Sequence, residues 1–514
     1  MGQARRRLAG IVGAAAVAAA LAGCNPQVVS INVAGTDAAD NRSSDPVVSP
    51  DGTKVAFTSS ASDLVPPGTG AGAEGHSEVY VRDLASGTTQ LVSVGNDGRA
   101  GDATSMWPVF SPDGTKVAFN STAGNLVDIP AGADLGLFVR DLVAGTTELV
   151  SVNAAGTSGS EGSATAPTFT PDGTKVVFDA SGDDLVPGDS NHATDVFVRD
   201  LVADATTLVS RNAAGTASAN GYSYTPSVSP DGAKVAYTST ATDLGPADGN
   251  SRQDAYLTDL ASGVTTLVSH NAAGTGAGNE SSDALDFSPD GHHLAFRSWA
   301  SNLGPVDSNG QSDIYLRDLQ TGATRRIEVN GPIGPLEVDY PEAVFSPDST
   351  KVAFVTRAGN LGHPDDYVCR DHNLPPRETP CQDVYVHDLV SGTTTLVSRN
   401  AAGTNGADGE SFDPVFSPDS ASVAFTSTAG DLGPTDTNDD GDVYVADLAD
   451  GSITLVSSNE DGTDSADGRS DQPSFAADAR QVVYMSHARN LGPAPDTNGT
   501  DDVYLEILPE DTIP

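Results

Sequence analysis

Lysine is scarce in this 514-residue chain: only five are present, beside three cysteines, two tryptophans and 70 acidic residues. The formal net charge of −44 argues against nucleic acid as a partner and against adsorption to anionic lipid. Three cysteines are too few for a disulfide-dense scaffold. The longest apolar run, Leu8 to Ala20, is thirteen residues and too short to span a bilayer. No G-x-S-x-G elbow is present, which removes that route to a nucleophilic serine.

That apolar run follows Arg5, Arg6 and Arg7 and precedes Leu21-Ala22-Gly23-Cys24, a segment similar to a bacterial lipobox. The resemblance implies a lipoprotein signal peptide over 1–23, cleavage before Cys24, and a lipid on its sulfur. The expected location is the extracytoplasmic side of a bacterial cell membrane, held by the lipid anchor only. Removing the leader takes three arginines and no acid, so the formal charge becomes −47.

Self-comparison then sets the architecture. The phrase S-P-D-G-T-K-V-A-F recurs in intact or worn form with its Asp at 51, 113, 172, 231, 290, 348, 419 and 478. All five lysines fall in one column, three residues after that Asp. An Asp or Asn followed by Leu recurs at 63, 125, 184, 243, 302, 360, 431 and 490. Each repeat holds four short runs rich in Val, Phe, Tyr and Thr, separated by Pro, Gly, Asp and Ser, so each reads as four strands. The fourth run, T-T-x-L-V-S, is absent after the eighth repeat, but Gln27–Thr36 matches Leu208–Thr216. An all-β, eight-bladed β-propeller of four-stranded antiparallel blades is therefore expected over 27–508, with an N-terminal strand completing the last blade. Residues 24–26 form a short tether and 509–514 a C-terminal tail. Closure removes free sheet edges, and a monomer is expected.

These repeats resemble the TolB-type, WD-like β-propeller repeat of exported bacterial proteins. The resemblance rests on S-P-D-G followed by a β-branched and aromatic strand and covers about Gln27 to Leu508. It implies the fold and says little of activity. The chain departs from TolB in having eight repeats and no separate N-terminal domain, so no Tol-system role is carried over.

Two segments hold candidate ligands. Asp436, Asn438, Asp440 and Asp442 approach the D-x-N-x-D-G opening of calcium loops. Related sets are Asp189/Asn191/Asp195, Asp248/Asn250/Asp254, Asp307/Asn309/Asp313 and Asp496/Asn498/Asp502. They are candidate Ca2+ ligands; the alternative is that Asp and Asn close Asx-turns unaided. The only large insertion, His363 to Gln382, carries Cys369, His372 and Cys381. An exported chain without paired C-x-x-C motifs favours a Cys369–Cys381 disulfide over zinc held by His363, Cys369, His372 and Cys381.

For function, the nine histidines share no repeat column, which argues against a ring of catalytic or metal-binding groups. The reading is a non-catalytic, surface-tethered binding or scaffolding propeller, stiffened by calcium, with an envelope protein or extracellular ligand as partner. No catalytic residue and no enzyme activity is assigned. The alternative is an envelope enzyme processing polysaccharide or peptide, with its site in the loops of the top face.

Overall fold

The structure is a computed structural model and describes residues 26–509, apart from 73–74, 131, 133, 246–247, 305–306, 328, 330–342, 359–360, 362–367, 371–377, 434–435, 439 and 493–495. Among these residues the chain forms eight four-stranded antiparallel sheets, the blades of a β-propeller, and one two-stranded hairpin. Blade 1 shows the plan: Ser43–Val48 is innermost, then Lys54–Ser59 and Glu78–Asp83, with Thr88–Leu91 outermost. The hairpin, Val368–Arg370 with Glu378–Pro380, is the insertion of blade 6.

The two middle strands of each blade are buried on both faces, as continuous apolar runs between stacked blades should be. Each blade pairs an aromatic on its second strand with one on its third. Phe57–Tyr80, Phe296–Tyr315 and Tyr484–Tyr504 stack with centroids 5.8, 5.5 and 6.0 Å apart. Every apolar cluster spans the seam between two neighbouring blades. The seam between blades 8 and 1 joins Val29, Val483, Val503 and Leu505 to Val55, Phe57 and Tyr80.

The ring closes as the repeat count implied. Gln27 pairs with Leu505 and Val28 with Tyr504, making the N-terminal strand the outer strand of blade 8. The paired stretch is only two residues long, because from Val29 the chain already turns: Val29 N and Ser30 N both donate to Val503 O. Ser30 Oγ then bonds Asp502 across the closure at 2.6 Å.

The repeat columns have local structural reasons. In S-P-D-G, Asp51 Oδ1 accepts from Ser49 Oγ at 2.7 Å and from Thr53 N at 3.1 Å, while Gly52 takes φ = 70°. The Asp/Asn-Leu column forms reciprocal clamps: Asp102 N donates to Asn125 Oδ1 and Gly124 N donates to Asp102 Oδ1.

One feature departs from a plain strand pattern. Inner strands carry a bulge at a residue that precedes proline: Asp45, Trp107, Ala166, Thr225, Asp413 and Gln472 take φ between 49° and 56°. Proline has no N–H for a ladder, so it sits at the free edge of the innermost strand. Both faces of that strand are packed and its other edge is paired. An exposed side chain there, such as Trp107 at 49 %, must therefore face the central channel.

Candidate active site on the top rim

The inner strands start on one face of the ring, here called the top. There each leans on the preceding blade: Ser43 N donates to Asp501 O at 2.7 Å, and Ser105 N, Ser223 N and Ser411 N donate to Ser77 O, Thr194 O and Gln382 O. The loops between second and third strands also open on top, while the tight S-P-D-G and S-G-T turns lie below.

The five D-x-N loops occupy blades 3, 4, 5, 7 and 8, so they are spread around the ring and do not converge. Each asparagine bridges its own loop. Asn191 Nδ2 donates to Asp195 Oδ2 and to Ala219 O, both at 2.7 Å. Asn250, Asn438 and Asn498 repeat this toward Asp254, Asp442 and Asp502. The last aspartate of each loop opens the third strand and is fully buried; a serine from the outer strand donates to Asp195, Asp254 and Asp442. Burial lifts Asp195, Asp254 and Asp442 to about 7 and Asp502 to about 8. The first aspartates, Asp189, Asp248, Asp307 and Asp496, are buried, while Asp436 is half-buried and Asp440 exposed. In blade 5 a side chain supplies the positive charge: Arg326 Nη1 lies 3.1 Å from both Asp307 and Asp313, with Asn309 beside them. Among the described residues no three His, Cys, Asp or Glu side chains gather in a way that could hold a metal ion.

Cys381 is buried and disulfide-bonded. The backbone places Cys369 on the hairpin strand opposite Thr379. His363, His372 and Cys24 lie outside the described residues.

What the top rim does bring together lies where the repeat is broken. At the seams of blade 1 with blade 2 and of blade 2 with blade 3 the positions beside the inner-strand starts are Ser60, Ser77, Thr104, Thr122, Leu135 and Ser163, all without charge. From blade 6 round to the start of blade 1 the same columns acquire Arg357, Glu410, Arg469, His487, Asp501 and Arg42. Arg357 Nη1 meets Glu410 Oε1 at 2.6 Å, and Glu410 Oε2 accepts from Gln382 N at 2.9 Å. Arg469 pairs with the buried Asp471, whose carboxyl is raised by burial and lowered by that arginine.

The seam between blades 8 and 1 brings a histidine, an aspartate and an arginine together. His487 follows the second strand of blade 8, Asp501 precedes its third strand, and Arg42 precedes the inner strand of blade 1. His487 Nδ1 lies 3.3 Å from Asp501 Oδ1, and Arg42 Nε lies 2.9 Å from Asp501 Oδ2. The carboxylate is thus shared by an imidazole and a guanidinium. With Nδ1 turned to Asp501, a neutral His487 leaves Nε2 as the acceptor, and its side chain is half exposed. This can accept or deliver a proton beside a fixed positive charge.

None of these three residues stood out in the sequence. The signal that marks them is departure from the repeat: His487 sits in a column that is Ser or Thr in five blades (Ser60, Thr122, Ser181, Thr240 and Thr428) and departs from it also as Trp299 and Arg357. The absence of a shared histidine column counts against a symmetric ring only, since a single seam can carry a site.

No family model matches the chain. A probable dipeptidyl-peptidase 5 of Aspergillus niger is 29% identical over 190 residues, 34% of this chain and 24% of that protein. The chain therefore spans about a quarter of that relative's length. Dipeptidyl peptidase 4 of Porphyromonas gingivalis is a similar solved structure, with 14% identity, coverage of 87% and 56%, and a TM-score of 0.49. A putative TolB of Agrobacterium tumefaciens gives 20% identity, coverage of 60% and 83%, and a TM-score of 0.33. The blades themselves are those of a β-propeller, the fold that the TolB-type repeat implied. The similarity to a peptidase overturns two expectations from sequence, the non-catalytic binding or scaffolding role and the absence of enzyme activity. A repeat column records only what every blade shares, whereas His487, Asp501 and Arg42 meet at a single seam.

Proposed function

We propose that this chain is an exported enzyme that processes peptides, with its site on the top rim at the seam of blades 8 and 1. The observation that carries this is the Asp501 carboxylate held between Arg42 and His487. In this reading water attacks the peptide carbonyl, His487 Nε2 takes its proton and passes it to the leaving amine as the C–N bond breaks, Asp501 orients the ring, and Arg42 offers charge to the carbonyl oxygen as it becomes negative. Peptide is preferred to polysaccharide because the curated relative is named a peptidase.

Lipid attachment at Cys24 would hold the enzyme on the extracytoplasmic side of the membrane. Calcium enters as a stabiliser of the D-x-N loops, supported by the way Arg326 lies between two of their carboxylates in blade 5. Millimolar calcium should then raise the melting temperature of metal-free protein, and Asp436→Ala with Asp442→Ala should reduce the rise.

The test of activity is cleavage of a fluorogenic peptide library by the mature chain, with His487→Gln and Asp501→Asn as controls. Each substitution should cost at least about 100-fold in kcat with folding intact, the range for losing a general base. Activity unchanged in both variants, or no cleavage of any peptide by the parent, would overturn the assignment.

A further inference from the structure

Four of the nine histidines lie on blade 5 or at its two seams, and two of them bolt it to its neighbours. At the seam with blade 4, His270 Nδ1 lies 2.8 Å from Asn271 O. A carbonyl only accepts, so Nδ1 carries the proton and Nε2 is bare. That bare nitrogen accepts from Arg317 Nη2 on the third strand of blade 5. At the seam with blade 6, the buried His387 accepts at Nε2 from Arg325 Nη2 at 3.1 Å and donates from Nδ1 to Thr394 Oγ1 at 2.9 Å. Each arginine is fixed by a second bond, Arg317 to Thr324 Oγ1 and Arg325 to Leu389 O. Both histidines therefore present a bare Nε2 to a permanent cation.

We propose that blade 5 is an acid-sensitive segment of the ring: protonation of His270 and His387 turns both inter-blade bonds into contacts between cations and loosens the blade on both sides. An imidazolium has no lone pair for the arginine, so the bond is lost and repulsion replaces it. Burial, and then the charge of Arg325, hold His387 below the usual histidine range, with Asp388 opposing. A lowered folded value means the stabilisation is complete above the ordinary histidine pKa and is lost as pH falls through the folded one.

Blade 5 carries other titratable groups. At the lower end His293 stands in the lysine column opposite Asp318 and His292 lies 3.3 Å from Asp290, so both face carboxylates rather than arginines. At the upper end Asp313, raised by burial to about 6, would protonate and weaken its pair with Arg326. The two seam histidines are separable from these by glutamine, whose amide oxygen accepts from arginine at any pH.

The test is hydrogen exchange of the mature chain, read by mass spectrometry over residues 313–327 at about pH 7.5 and about pH 5.5, either side of the histidine range and corrected for intrinsic rates. Residues 136–149 of blade 2, which contain no histidine, give the reference. Exchange in blade 5 should rise about tenfold or more relative to blade 2 on acidification, and His270→Gln with His387→Gln should remove most of that rise. Arg317→Met with Arg325→Met, which removes the opposing cations, should remove it too. No selective rise in the parent, or the same rise in both folded double variants, would overturn the proposal.

Discussion

Ser30 offers the sharpest test of how the ring is closed. It is fully buried, and its Oγ donates to Asp502 Oδ1 at 2.6 Å while accepting from Val503 N at 2.9 Å. Ser30→Ala removes the partner of a buried acid and leaves a buried N–H unsatisfied. A lost hydrogen bond to such a group costs about 1–2 kcal/mol and the orphan donor about 1–3, so a loss of about 3 kcal/mol is expected. The loss should grow above about pH 8, where Asp502 ionises. Two internal controls share the fold position. Ser457 in blade 7 makes the same pair of bonds, to Asp442 and from Val443 N. Ser151 in blade 2 accepts only from Leu137 N, because Gly136 stands where the acid would be. Urea unfolding should therefore rank Ser30→Ala with Ser457→Ala, and place Ser151→Ala lower, at about 1–2 kcal/mol. A cost below about 1 kcal/mol at Ser30, beside about 3 at Ser457, would mean that the terminal strand does not hold the ring in solution.

Glu506 is buried in blade 8, and burial lifts it to about 8 from 4.5. The folded state then keeps a proton that the unfolded state has lost, so stability falls between about pH 4.5 and pH 8 by at most about 5 kcal/mol. Glu506→Gln should flatten that fall, and equal pH dependence in both proteins by urea titration would refute it. Ala479 occupies the S-P-D-G glycine position with φ = 59°. Ala479→Gly should raise stability by about 1 kcal/mol through relief of left-handed strain, and a lowered melting temperature would show that the strain is absent.

The sequence by itself determined the architecture, and particular residues show why. Phe57, Tyr80 and their counterparts recur in each repeat because every blade must bury the same faces against its neighbours, so packing writes itself into the chain as a period. The closure was legible for the same reason, since a missing outer strand at one end matched a surplus strand at the other. The inner-strand bulges were not legible. A residue before proline ordinarily favours extended backbone, and only the free channel edge lets Asp45 or Trp107 stand at positive φ. The candidate site was hidden for a deeper reason. Arg42 is separated by more than 400 residues from His487 and Asp501, and closing the ring is what brings them to one carboxylate. Repetition records what all blades share; a site built at one seam depends on which residues the closed ring sets side by side, and that only the tertiary structure decides.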